Sequence, residues 1–444
     1  MSTAGTEVLS APAPAREFAS SRLTTWVVAA ALVAGVIFRL ILPGMIEYHS
    51  DEQFSFQHMV SVLAGGPWPP LGMTMSIGGP NPGMSVWIFV ILGWLGHVQS
   101  PVGLAESVQV LNVVALLAFV VFVVRAIPER DREPWLWAAA LWAVNPIEII
   151  YERKIWPPST LPAFIVVMLA GWWYRRTWLG SFAFAFVSVL GGQIHPTCAF
   201  LGISLGAWSV ADDRRSFRYG ALAAGAVVGF LPALSWVAAY SSAPNSLHRF
   251  RLPSPNFYGR WFTTPFGYGP DHILGPVEFP RFLGWPNVYG SPSWLVVVLY
   301  VAILVAALAL IVPAARHLFA GRRPLRWYLL GGSPAGLAVR AAFIGFGVIL
   351  TVLSAAGGGL YPHYMIVIAP LMTLWVALLA AFSDGGVLGD RGRHLLATLC
   401  ILDAAVVVLL FSYIHTVGDI HGEFGPSWEF QQSRLADTPW PPGT

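Results

Sequence analysis

Two adjacent carboxylates, Asp51 and Glu52, stand in Tyr48-His49-Ser50-Asp51-Glu52-Gln53, shortly after the first strongly apolar run of the chain. On a soluble surface such a pair would be ordinary. Here the 444 residues are 56% hydrophobic and only 11% charged, and the pair opens the first extra-membrane loop. Acid placed just above a membrane points to chemistry at that surface. Three more clusters sit at the ends of apolar runs. They are Tyr151-Glu152-Arg153-Lys154-Ile155-Trp156, Gln193-Ile194-His195-Pro196-Thr197 and Tyr361-Pro362-His363-Tyr364. Arginine, lysine and histidine gathered in this way fit an anionic ligand.

The elements that must position these residues are membrane helices. Many apolar runs reach the ~18 residues that span a bilayer, which overrides the two or three soluble domains that the length alone would imply. Runs lie near 23–43, 83–97, 104–124, 134–150, 159–174, 178–194, 196–211, 219–240, 292–313, 338–356, 361–382 and 394–414. The run at 83–97 follows Gly78-Gly79-Pro80-Asn81-Pro82-Gly83, is short and carries two tryptophans. A run of that length lies in the interface more often than it spans.

Arginine placement decides the matter. If 83–97 does not cross, Arg125/Arg130/Arg132, Arg175/Arg176, Arg214/Arg215/Arg218, Arg316/Arg322/Arg323/Arg326 and Arg391/Arg393 share one side with Arg16 and Arg22. Of the multi-arginine clusters beside membrane helices, Arg249/Arg251 alone depart, in a long loop where the charge rule is weak. The expectation is an all-α membrane protein of about 11 transmembrane helices, N-terminus cytoplasmic and C-terminus extracytoplasmic. The expected layout is a disordered segment 1–22, a membrane domain 23–414 and an external tail 415–444. External loops cover 44–103 and 241–291, and the first contains two juxtamembrane helices. In the first of these, 51–64, Phe54, Met59, Val62 and Leu63 form an apolar face opposite Asp51, Gln53, Gln57 and His58. The run 23–43 is read as a retained helix rather than a signal peptide, since no small-residue cleavage site follows it.

Several classes are excluded. No basic cluster lies in a folded soluble region, so nucleic-acid binding has no support. There is no nucleotide-binding loop, zinc signature or Gly-x-Ser-x-Gly elbow. Cys198 and Cys400 both fall in apolar runs and read as core residues. Every basic residue except Lys154 is arginine, in keeping with a GC-rich bacterial genome and a plasma-membrane location.

The order of elements resembles the GT-C glycosyltransferases of the protein O-mannosyltransferase and aminoarabinose-transferase branch. The resemblance rests on Asp51-Glu52 after the first helix, on the Pro/Gly-rich stretch from Pro67 to Pro82, on Asn145-Pro146 with Tyr151-Glu152-Arg153-Lys154-Ile155-Trp156, and on Tyr361-Pro362-His363-Tyr364 before Pro370. It covers most of the chain, through short motifs. It implies transfer of a sugar from a polyprenyl-phosphate donor to an acceptor hydroxyl on a glycan, lipid or protein, with inversion, at the outer face of the bilayer. Carried over residue by residue, it places the base on Asp51, with Glu52 orienting. Arg153, Lys154, His195, Tyr361 and His363 are the candidates for binding substrate near the phosphate. Two departures stand out. Pro157-Pro158-Ser159 replaces an acidic residue that some relatives use with a divalent metal, which puts metal dependence in doubt and leaves no certain cofactor. Gln109 stands where many relatives have arginine.

Plainer readings stand beside these. Asp51-Glu52 suits any helix N-terminus. Arg153 and Lys154 suit lipid headgroups, and His195 and His363 suit structural roles. Asp403, midway along the last run, must be paired or neutral. A secondary transporter or flippase is the alternative function, although no internal repeat of the kind common in that class is evident.

Overall fold

The computed structural model describes residues 22–75, 79–240, 254–320, 333–356, 360–383 and 388–437. The expected N-terminal disorder, Arg249/Arg251 and Arg322/Arg323/Arg326 lie outside these residues. The protein is a bundle of α-helices with two short hairpins. The first helices are α1 (Arg22–Leu40), α2 (Ser50–Leu63), α3 (Met84–Leu95), α4 (Pro101–Ala126), α5 (Glu129–Val144) and α6 (Pro146–Tyr151). Then come α7 (Leu161–Trp173), α8 (Trp178–Ile194), α9 (Pro196–Asp212), α10 (Tyr219–Phe230) and α11 (Leu234–Tyr240). The second half contains α12 (Pro255–Thr263), α13 (Pro270–Leu283), α14 (Leu295–Ala320), α15 (Pro334–Ala355), α16 (Pro362–Ser383), α17 (Asp390–Val417) and α18 (Trp428–Asp437).

Seven of the described segments are long and apolar enough to cross a bilayer: α1, α4, the rod Tyr219–Tyr240, α14, α15, α16 and α17. The expected eleven is reached only if α5, α7, α8 and α9, of 16, 13, 17 and 17 residues, also cross. The run at 83–97 forms a helix of 12 residues, too short to span on its own. On α4, Val110, Val114, Leu117 and Val121 are exposed in a stripe, while Ala105, Val108, Asn112 and Phe119 are buried. An apolar side chain left bare at each turn of one face is what lipid contact requires.

The hairpins correct the all-α expectation in detail. Leu71–Thr74 pairs antiparallel with Pro80–Pro82, and Asn287–Val288 with Ser291–Pro292. Helix α2 divides its expected apolar face between the interior and the surface. Its buried stripe is Glu52, Ser55, Met59 and Val62, whereas Leu63 is exposed. The helix packs on α3, where Gly93 admits the Met59 side chain; an added Cβ would lie 2.2 Å from the Met59 sulfur.

Helix 134–150 of the sequence reading is two helices. Asn145 ends α5 and caps α6, its Oδ1 accepting from the amides of Ile147 (3.0 Å) and Glu148 (3.3 Å). Pro146 takes the first position of α6, where its missing N–H costs nothing. The Asn145 amide donates to the Thr264 carbonyl at 2.8 Å, so this turn is fixed to the segment that follows α12. Asp403 is fully buried in α17, against Gly267, where an added Cβ would lie 2.2 Å from Oδ1. Gly267 has φ 75°, so both its backbone and its space require glycine. Asp403 forms no ion pair among the described residues and stays outside the candidate site.

Candidate active site

The site is built around the turn that follows α6. Arg39, at the end of α1, is fully buried and pairs with Glu152 at 2.6 Å. The same guanidinium donates to the carbonyls of Gly35 (3.0 Å) and Ala143 (2.9 Å). Glu152 accepts a second bond from the Trp142 indole at 2.8 Å. Asn112 of α4 holds the other side, donating to the carbonyls of Glu152 and Ser159, both at 2.8 Å. A buried pair with its remaining lone pairs satisfied is the arrangement that offsets charge desolvation.

Arg153 is held for a structural purpose. It donates to the carbonyls of Phe38 (2.7 Å), Arg39 (3.0 Å), Ile41 (2.8 Å) and Leu42 (2.8 Å). Phe38 and Arg39 carry carbonyls that the end of α1 leaves without helical partners, and Ile41 and Leu42 belong to the turn that follows. Its charge closes the end of a helix.

Lys154 points the other way. Its Nζ lies 2.5 Å from Glu47 Oε2 and 3.9 Å from Glu52 Oε1, and 4.7 Å from the centre of the Trp156 ring. Glu47 Oε1 is 3.0 Å from His49 Nε2. Glu52 and His49 form a capping box at the start of α2, with the His49 amide donating to Glu52 Oε2 at 3.3 Å. The capping role thus belongs to His49 and Glu52. Asp51, in the first turn, is half-buried and forms no ion pair among the described residues.

Burial, then the neighbouring Glu47, push Glu52 up to about 8 against the pull of Lys154. The opposing charges raise Lys154 despite burial, and the Glu47 bond raises His49. Between the ordinary carboxylate value of 4.5 and about 8, the folded chain holds a proton on Glu52 that the unfolded chain has released. Stability from this group therefore falls as pH rises through that window. Glu52→Gln, which mimics the protonated acid without titrating, should flatten the decline of thermal-unfolding midpoint between pH 5 and 8. An unchanged slope in the variant would remove Glu52 as its source.

The wall beyond Lys154 is aromatic and imidazole-rich. Trp156 meets His363 edge-on at 4.5 Å, Tyr361 stacks on His363 at 5.4 Å, and His195 lies 6.0 Å from His363. His195 Nδ1 is 2.7 Å from Thr197 Oγ1. The structure therefore gathers Lys154, His195, Tyr361 and His363, and sets Arg153 aside.

Four further residues join those expected from the sequence: Arg260, from the external segment 241–291, and Glu47, His272 and Glu423, which are not among those expectations. Glu423 comes from the C-terminal segment, with Oε2 2.5 Å from His272 Nε2 and Oε1 3.9 Å from His363 Nδ1. Burial pushes Glu423 up, but bonds to His272 and His363 outweigh it and hold the carboxyl well below its usual range. Arg260 of α12 makes a two-pronged pair with Asp271 at 3.2 and 2.7 Å. The chain returns to the site because Ser427 bridges Glu47, and Trp428 N–H donates to the Ile46 carbonyl at 2.8 Å. A signal existed in His421-Gly422-Glu423, two ionisable groups around a glycine just beyond the last helix.

Glu47, His49 and Glu52 offer ligand atoms within 4.8 Å of one another, a donor set of the kind that holds a divalent metal. The Lys154 ammonium already supplies a cation to that set, so a metal there would have to compete with it.

No family model matches the chain, and no curated protein sequence does. Among solved structures, the chain is similar to the crystal structure of ArnT from Cupriavidus metallidurans bound to undecaprenyl phosphate. The TM-score is 0.50 at 13% identity, over 90% of this chain and 78% of that one. At that identity the likeness is one of fold alone.

Proposed function

We propose that the chain is a GT-C-type glycosyltransferase, taking a sugar from a polyprenyl-phosphate donor and passing it to an acceptor hydroxyl at the extracytoplasmic face of a bacterial plasma membrane. The observation that carries this reading is the contrast within one turn of helix. Glu52 is buried and bound into the Lys154 cluster, while Asp51 beside it is accessible and free of ion pairs among the described residues. A general base must reach the proton it removes. The neighbouring carboxylate can fix the helix on which that base rides. The fold likeness to a structure bound to undecaprenyl phosphate supports the lipid-linked donor.

In this mechanism the acceptor O–H gives its proton to Asp51 as its oxygen attacks the anomeric carbon. The new C–O bond forms as the bond from that carbon to the phosphate oxygen breaks. The electron pair leaves with the polyprenyl phosphate, and the anomeric configuration inverts. Lys154, His195 and His363, with Tyr361 beside them, form the wall against which the departing phosphate is stabilised. Arg153 acts at one remove, by holding the end of α1 and therefore the approach to α2.

The reading is tested by offering the purified chain a panel of polyprenyl-phosphate sugars with glycan, lipid and protein acceptors. Release of polyprenyl phosphate with a new inverted glycoside is expected for at least one pair. Transport of a lipid-linked sugar across a vesicle without any transfer would overturn it in favour of a flippase.

A further inference from the structure

An open cleft of about 530 Å³ lies between α12, α13 and the C-terminal segment, lined by Arg260, Asp271, His272, Phe279, Gly422 and Glu423. It shares Arg260 and His272 with a much narrower crevice that runs inward to Glu148, Tyr151 and Thr264. Glu148 is 2% exposed, and its Oε2 is buried with no hydrogen bond from any described residue. A buried carboxylate oxygen without a donor is costly, and the Asn145 cap fixes the helix start that carries it. Neither the Asp51 chemistry nor the Arg39–Glu152 frame uses this group.

The lining selects a ligand class. A phosphate in the crevice would meet the Glu148 carboxylate. A metal ion would meet the Arg260 guanidinium. A lipid tail would leave both polar groups unmatched. A hydroxyl satisfies both, since it donates to a carboxylate and accepts from a guanidinium. The crevice is too narrow for a ring, whereas the outer cleft falls within the 300–1,000 Å³ usual for small-ligand sites. We propose that the outer cleft and the inner crevice together form a carbohydrate subsite, in which a sugar ring occupies the cleft beside Arg260 and one hydroxyl-bearing arm reaches Glu148. The inference rests on the glycosyltransferase reading and adds how the sugar is read. The sugar is either the one carried by the donor or one on an acceptor glycan; both present the same hydroxyls.

The test uses the full-length chain in lipid nanodiscs. Probes are undecaprenyl-phosphate-linked glucose, mannose and galactose, the 6-deoxy counterpart of each, bare undecaprenyl phosphate, and the free methyl glycosides. Binding is read by native mass spectrometry and competition. Wild type should bind at least one hydroxylated form about tenfold tighter than its 6-deoxy form, since a site built to bond a hydroxyl discriminates against its absence. Glu148→Leu should abolish that preference while leaving affinity for the 6-deoxy form in place, and should not lower the unfolding midpoint. Preference among carrier-linked forms assigns the donor sugar; preference among free glycosides alone assigns the acceptor. If Glu148→Leu does not fold, Glu148→Gln decides, with the preference cut about threefold. An undiminished preference in the folding variant overturns the subsite. So does bare carrier binding as tightly as every loaded form, or equal competition by a zwitterionic amino acid. Sugar transfer is assayed separately in wild type: its absence sinks the enzyme reading, while a preference lost in Glu148→Leu still upholds the subsite.

Discussion

Asp51→Asn is expected to lower sugar transfer by ~10²–10⁴-fold, the usual worth of a positioned general base. The substitution keeps the shape of the side chain and removes its capacity to take a proton. Its structural cost is small for a stated reason. Asp51 is half-buried, and among the described residues its side chain accepts a 3.5 Å contact from the Ser50 hydroxyl. What remains is a favourable acid in the first turn of a helix, worth about 0.3–1 kcal/mol. Expression and thermal unfolding should therefore stay near wild type while turnover collapses. The measurement is initial rate with a competent donor and acceptor, alongside an unfolding curve on the same preparation. Full transfer by a folded Asp51→Asn protein would remove the base from this residue and point to Glu47 or Glu52.

Lys154→Met should have the largest effect on stability, about 3–5 kcal/mol, because it strands buried acid. Lys154 is 7% exposed and Glu47 2%, with 2.5 Å between their charged atoms. Removing the ammonium leaves the buried Glu47 carboxylate to the half-exposed His49 imidazole 3.0 Å away, which is charged only when protonated. The paired change Lys154→Met with Glu47→Gln should recover much of the loss, since it removes both charges together. A double-mutant cycle in detergent-purified protein measures this directly. If the single variant unfolds within ~1 kcal/mol of wild type, an ordinary figure for a point change, the cluster is not the buried ion pair described.

The contrast between these two residues shows what could be read from the chain alone. The clustering of Lys154, His195, Tyr361 and His363 was legible because each sits where an apolar run ends, and helix ends on one side of a bundle converge. The purpose of the cations was not. The sequence marks Arg153 and Lys154 alike as cations, and only the structure separates them: Arg153 meets the chain's own carbonyls, and Lys154 meets Glu47 beside the imidazole wall. A free guanidinium and one that caps a helix look alike in a sequence. Glu47 escaped notice because nothing local marks it; its role comes from Lys154, 107 positions away in sequence, and from Ser427. Glu423 and His272 are likewise joined only through space. The break at Asn145-Pro146 could have been found from its cap-then-proline order, and its hydrophobic flanks concealed it. On α2 the sequence shows the apolar face but not that Met59 and Val62 turn to the interior while Leu63 stays at the surface, since that division depends on the packing of α2 on α3.

The return of the C-terminal segment has a consequence for biogenesis. Ribosomes deliver this chain from its amino end, and helices enter the bilayer as they emerge. Asp51 is made before Ser427 and Trp428, which close over Glu47 and Ile46, and before Glu423, which reaches His272. Chains stalled or clipped before Gly418 would hold nearly every membrane helix and still lack one wall of the site. A copy that stops there lacks the Glu423 carboxylate beside His272 and His363, and the transfer proposed above is expected to fail in it.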